Sequence, residues 1–223
     1  MEADASRAAR VAPGRHTLSR EFIAQHQRER IVRGLAAAVA DQGYSSVSVA
    51  DVVKRARIAR NTFYEYFSGK EEAFLFGFEM AASQASQHVR EACEQAGEDP
   101  ASGVAAGLRA FCEYISEEPE LARMCIVEAM AAGPQAMDRF DAEIREYVPL
   151  LRRARELDPA AADLPDSIEE SVLGGLNWII YQRLASGEPE QVGALLGDLI
   201  EFALTPYMGP QAAREAAAAH TTA

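Results

Sequence analysis

Residues 43–74 read GYSSVSVADVVKRARIARNTFYEYFSGKEEAF. Gly43 closes a long helical pattern that begins near Ser19, in which Ile31, Leu35 and Val39 recur at helical spacing. Tyr44-Ser45-Ser46-Val47 is a short connector. Ser48-x-x-Asp51 then fits a capping box, with Asp51 in the place of the commoner Glu. The helix it opens has one apolar side: Val49, Val52, Val53 and Ala56. After Arg57-Ile58 a second short helix covers about 59–66, and Phe67-Ser68-Gly69 breaks it. A long fourth helix runs from Lys70 to about Gln95, with Phe74, Phe78, Ala81, Ala85 and Val89 on one face.

Two short helices joined by a tight turn and packed on a longer one form a helix-turn-helix arrangement. In that arrangement the first short helix crosses the phosphate backbone and the second lays its N-terminal residues against base edges in the major groove. Val49, Val52, Val53, Ile58 and Phe63 fix the crossing of the two helices. Arg60, Asn61 and Thr62 face outward. Arginine can grip guanine with two hydrogen bonds, asparagine can do the same with adenine, and threonine can meet a thymine methyl.

Charge at first argues the other way. The chain carries a net charge of −12, unlike an ordinary nucleic-acid binder. The charge is unevenly spread, however. Residues 1–76 hold 12 Lys and Arg against 9 Asp and Glu, a net of +3, whereas residues 77–223 hold 10 against 25, a net of −15. Only the N-terminal part is suited to a polyanion, and the acidic remainder keeps the molecule dispersed.

The run Thr62-Phe63-Tyr64-Glu65-Tyr66-Phe67-Ser68-Gly69-Lys70-Glu71-Glu72-Ala73-Phe74, with the upstream SVSVADVVKRARIA segment, resembles the signature of the Tet repressor family (TetR/AcrR type). The strong match covers about residues 29–78. The C-terminal part resembles the family only in length, helicity and order. What the resemblance implies is a homodimeric, ligand-responsive transcriptional repressor that reads a palindromic double-stranded DNA operator. By the same resemblance Ser48, Tyr64 and Lys70 touch phosphates, Lys70 from a helix N-terminus where the dipole also favours anions. Arg60, Asn61 and Thr62 read bases, and Tyr66 assists. Two positions depart from the family pattern. Arg57 stands where glycine is usual in the turn, which implies positive φ at a non-glycine residue and adds a candidate phosphate contact. Ala59 replaces the usual serine cap.

Beyond Gly97 the chain reads as helices near 100–117, 119–131, 135–156, 167–186 and 189–205, with Pro100 and Pro119 at helix starts and Pro149 inside a pattern it should break. Residues 158–166 look like a loop. The expected fold class is all-α: a three-helix head at 19–69 and a ligand-binding and dimerisation bundle at 70–208, about nine helices in all. Residues 1–18 are expected to be a disordered arm and 209–223 a frayed tail.

Aromatic and methionine side chains suit an apolar pocket for a small organic effector. Phe78, Phe111, Tyr114, Met124, Tyr147, Trp178 and Tyr181 are the lining candidates, with Met130 and Phe140 beside them; each has core packing as its competing reading. Glu128, with Glu113 and Glu117, would favour a cationic effector if buried. Gly174-Gly175 inside a helix costs roughly 1 kcal/mol per glycine relative to alanine, tolerable where another helix must come close. Leu173, Gly174, Gly175, Leu176, Ile180 and Leu184, with Leu195, Leu199 and Phe202, are therefore expected to form a four-helix dimer seam.

Other functions find little support. Cys93, Cys112 and Cys125 are odd in number and scattered, as are the four histidines, so neither a disulfide framework nor a metal site is expected. There is no G-x-S-x-G, P-loop or G-x-G-x-x-G, and no cofactor or catalytic residue is expected, which disfavours the alternative of a helical enzyme. No apolar run reaches the roughly 18 residues of a membrane span, so a cytoplasmic location without membrane attachment is expected. Repressor or activator, and one dimer or a pair per operator, both remain open at this level.

Overall fold

The computed structural model describes residues 20–221; the expected N-terminal arm lies outside them. The described residues are almost wholly helical, with no strand among them. The head consists of α1 (Arg20–Gln42), α2 (Val49–Ala56) and α3 (Arg60–Tyr66), and α4 (Lys70–Gln95) leads out of it. The bundle continues with α5 (Pro100–Glu117), α6 (Pro119–Ile126), α7 (Ala129–Ala132), α8 (Pro134–Glu146) and α9 (Val148–Arg152). Two 3-10 turns, Arg153–Leu157 and Pro159–Asp163, lead to α10 (Ile168–Ala185), α11 (Glu190–Ala194), α12 (Leu196–Met208) and α13 (Pro210–Thr221).

The expected nine helices are subdivided. The 119–131 pattern splits into α6 and α7. The 135–156 pattern breaks at Tyr147 just before Pro149, whose ring and missing N–H prevent a continuous helix. The expected loop at 158–166 contains a 3-10 turn, capped by Asp158 accepting from the Ala160 amide at 2.8 Å.

The frayed tail is a correction. Residues 210–221 are helical, with Ala213 and Ala217 buried against α12. Alanine is the best helix former, and its small side chain lets two helices approach closely. Arg214 pairs with Glu201 at 3.0 Å, and Arg109 donates to the His220 carbonyl, so the helix is fastened at both ends.

Two hydrophobic clusters organise the molecule. The first joins Ile31, Leu35 and Val39 of α1 to Val52 and Phe63, and continues without interruption into Phe74, Phe78, Leu121 and Met124. The head therefore shares its core with α4 and α6. The second cluster packs α5, α10, α12 and α13 around Leu176, Ile180, Leu184, Leu199, Ile200 and Leu204. Phe111 touches both.

Candidate nucleic-acid interface and ligand cavity

The two short helices of the head are held by backbone satisfaction as much as by packing. Ser48 caps α2: its hydroxyl accepts from the Asp51 amide while the Asp51 carboxylate accepts from the Ser48 amide at 2.9 Å. The Ser48 hydrogen bonds hold the Asp51 carboxyl below its usual value. α2 ends at Arg57, whose φ of 53° and ψ of 50° are left-handed, at the position where sequence pattern implied positive φ. Arg57 is the one non-glycine residue with positive φ among those described. Arg30 of α1 secures this turn, donating from Nε to the Ala56 carbonyl at 2.8 Å and from a terminal nitrogen to the Arg57 carbonyl at 2.5 Å. α1 and α2 come together because Gly34 lacks a Cβ, which would lie 2.8 Å from the Ala56 nitrogen. Ala59 makes no side-chain cap for α3, as its chemistry requires.

α3 buries Phe63 completely and turns Arg60, Asn61 and Tyr64 outward. Thr62 and Tyr66 are half-buried. Tyr64 is 47% exposed, with the Arg60 guanidinium 5.7 Å from its ring centre and a long 3.5 Å contact to its hydroxyl. Lys54, Arg57 and Arg60 enter no ion pair among the described residues, whereas Arg55 pairs with Asp41 and Arg33 with Glu118. The head thus exposes three cations outside any ion pair among the described residues, an amide and a phenol.

Lys70 does something the sequence did not reveal. Its ammonium donates to the carbonyls of Tyr44 and Val47 at 2.7 and 2.8 Å and lies 4.3 Å from the Tyr44 ring centre. Burial there pushes its pKa down. Lys70 clamps the α1–α2 connector to the start of α4, and two of its three protons are already engaged.

Glu128 is likewise placed outside any ligand site. Its carboxylate accepts from the Tyr44 amide at 3.0 Å and lies 3.9 Å from Arg123, which donates to the Leu184 carbonyl at the end of α10. Glu118 takes two hydrogen bonds from Arg33, at 2.6 and 2.8 Å. α6 is therefore tied to the head at both of its ends.

The bundle contains a cavity of about 950 Å³, counting its open mouth, between α4, α5, α9 and α10. Of the eight ligand candidates, Phe111 and Tyr147 line it. The others do not, and each has a physical reason. Phe78 and Met124 fill the core shared with the head. Tyr114 is buried, its hydroxyl donating to Gln84 at 3.3 Å. Trp178 is 59% exposed and stacked on Tyr181 at 5.5 Å on the outer face of α10. Met130 is also exposed. The true walls are aliphatic and small: α5 contributes Pro100, Gly103, Val104, Gly107, Leu108 and Phe111. Their spacing of three and four is a stripe visible in the sequence, carried by small and aliphatic residues with a single aromatic.

The expected dimer seam needs a matching correction. Leu176, Ile180, Leu184 and Leu199 are buried inside their own subunit. Leu173 and Leu195 are half-buried, Leu173 at the cavity wall. Gly174, Trp178 and Phe202 are among the residues that α10 and α12 leave uncovered, the last 42% exposed. Phe202 lies against Gly175, where a Cβ would meet its ring at 2.6 Å.

Residues 31–75 match the model for bacterial regulatory proteins of the tetR family. The chain is similar to that family over its helix-turn-helix head. It is 25% identical over 125 residues to the HTH-type transcriptional regulator EthR of Mycolicibacterium smegmatis, 56% of this chain, and spans 57% of that relative's length. The fatty acid degradation regulator FadR of Bacillus halodurans superposes with a TM-score of 0.70 at 15% identity, covering 81% of this chain and 94% of the other. FadR of Bacillus subtilis, solved in complex with stearoyl-CoA, gives 0.62 at 15% identity over 80% and 98%. These likenesses fit the all-α fold with an N-terminal helix-turn-helix. No helix among the described residues is long and apolar enough to cross a membrane.

Proposed function

We propose that this tetR-family chain is a transcriptional repressor that binds a palindromic operator as a homodimer and is released by a small organic effector entering the cavity. The observation that carries the reading is the outer face of the head. Arg57, Arg60, Asn61 and Tyr64 are all exposed on one rigid support, next to the capped start of α2 at Ser48. Arg60, Asn61 and Thr62 read base edges; Ser48, Arg57 and Tyr64 meet phosphates, and Tyr66 supports Arg60 from the next turn. Lys70 acts mainly by holding the connector in place, with one proton left for a phosphate.

The second subunit joins through Gly174, Trp178 and Phe202 on α10 and α12. Signal passes along α4, which spans about 39 Å at 1.5 Å per residue. Its far end supplies Val89 and Cys93 to the cavity, and its near end holds Lys70. An effector that prefers the arrangement in which the heads no longer match successive major grooves shifts the population away from DNA. The stearoyl-CoA complex of B. subtilis FadR supports an organic effector in this fold.

Titration against the DNA flanking the gene, at two salt concentrations, tests the reading. Wild type should bind in the nanomolar range with strong salt dependence, and Tyr64→Ala should weaken binding about tenfold or more. If a genome-wide selection returned no preferred site, the repressor reading would be abandoned.

A further inference from the structure

The cavity has a chemical polarity that narrows its ligand. Its inner end is formed by Ala203, which is fully buried, with Leu176 and Ile180. Its α5 wall has glycine at 103 and 107, so the channel is smooth. Polar groups are few. The Tyr147 hydroxyl is committed to Glu143 at 2.9 Å, the Cys93 thiol donates to the Gly103 carbonyl at 3.3 Å, and Asn177 adds one neutral amide. Arg153 is the only charged residue of the lining among the described residues. It enters no ion pair among the described residues, and one guanidinium nitrogen donates to the Glu98 carbonyl at 3.1 Å, which leaves its remaining donors free. It is solvent-exposed, which places it at the mouth.

We infer that the cavity binds an unbranched acyl chain, inserted apolar end first toward Ala203, with an anionic or thioester head held at the rim by Arg153. This deepens the proposed function, resting on it for the consequence at DNA but not for binding. An ammonium head is disfavoured because the one fixed charge in the lining is positive, and no carboxylate lines the cavity. A bulky polycyclic ligand would find Asn177 as its one uncommitted neutral partner, too few for the several polar groups such skeletons carry. The same acyl chemistry can arrive from two sources: a free fatty acid, or an acyl group on coenzyme A whose charged portion stays outside the mouth.

Calorimetric titration of the full-length protein with dodecanoate, dodecanoyl-coenzyme A, dodecanol and dodecyltrimethylammonium tests this. Dodecanoate or its thioester should bind about tenfold tighter than dodecanol, and the ammonium not measurably. Binding of the acid identifies free fatty acid as the source; binding of the thioester alone identifies the carrier-bound form. Arg153→Gln should bring the preferred ligand to the level of dodecanol and leave dodecanol unchanged. Gly103→Leu should abolish binding of every chain while keeping the fold, because a Cβ at 103 has nothing within 4 Å and leucine favours helix. Equal binding of the ammonium, an unchanged preference in Arg153→Gln, wild-type affinity in Gly103→Leu, or no binding of any chain would each overturn the inference. Operator binding by ligand-free protein is measured separately, so loss of this ligand class leaves the repressor reading standing, and the reverse.

Discussion

Replacing Arg57 by glycine should stabilise the fold and weaken DNA binding at once. A non-glycine residue held at φ 53°, ψ 50° carries roughly 1–2 kcal/mol of strain, which glycine removes. Glycine gives back about 0.5–1 kcal/mol in unfolded-chain entropy. The hydrogen bond from Arg30 goes to the backbone carbonyl of residue 57 and survives the change. The Arg57 side chain is exposed and enters no ion pair among the described residues, so nothing else is lost within the fold. The net gain is about 0.5–1 kcal/mol, visible as a higher urea midpoint at unchanged slope. On DNA the variant loses one cation, which should lower the slope of log affinity against log salt by about 0.9 and weaken binding uniformly across sequences. A destabilised Arg57→Gly would refute the account of the turn, and an unchanged salt slope would refute the phosphate contact.

Other substitutions test other links. Glu169 is fully buried and accepts from Arg155 at 2.6 Å; burial pushes its carboxyl up, but the Arg155 hydrogen bond and charge outweigh this and hold it below the usual value. A depressed pKa contributes stability above the unfolded value of about 4.5 that disappears as pH falls through the folded one. Glu169→Gln should therefore be less stable than wild type near neutrality and show a flatter fall in melting temperature below pH 4.5. Lys70→Met strands the carbonyls of Tyr44 and Val47, so it should cost about 1–3 kcal/mol in thermal or urea unfolding and reduce operator affinity. Gly174→Ala meets nothing within 4 Å in the subunit, so the fold should be kept, while the added methyl at the proposed dimer seam should weaken self-association measured by analytical ultracentrifugation. Unchanged self-association would remove Gly174 from the seam.

How much of this was legible beforehand differs between the two halves. Residues 43–74 announced their elements because caps, stops and apolar spacing are local signals, and the structure places Ser48, Arg57 and Phe63 accordingly. The polar ties of Lys70, Glu128 and Arg30 were not legible, since each joins residues at least 23 positions apart. In the bundle, aromatic content misled. Trp178 faces outward because Leu176 and Ile180 already occupy the inner side of α10, and only one side of a helix can be buried by a single neighbouring layer. The burial of Ala213 and Ala217 is not legible in the sequence because alanine carries no hydrophobic signature strong enough to announce a docked helix.

The two hydrophobic clusters also limit how an effector can act. Coupling energies between sites are typically about 1–3 kcal/mol. Prising the head from α4 and α6 would expose Phe74, Phe78, Leu121 and Met124, each worth about 1.5–3 kcal/mol, and break the Arg33–Glu118 and Tyr44–Glu128 contacts as well. The effector therefore has to move the head, α4 and α6 together against α5 and α10. The cavity lies where that body meets the second cluster, beside Phe111, and α4 faces α5 there through Cys93 and Gly107. A Cβ at 107 would stand 3.0 Å from the Cys93 sulfur, about the separation between a Cβ and the far sulfur of a disulfide. Gly107→Cys should consequently form a bond with Cys93 on oxidation and lock α4 to α5. Oxidised protein should bind the operator and fail to release it with effector, while the reduced protein releases it. Effector binding measured on both forms separates a locked lever from a blocked cavity. If the oxidised protein bound effector and still released DNA as readily as the reduced one, motion of α4 against α5 would not be the signal.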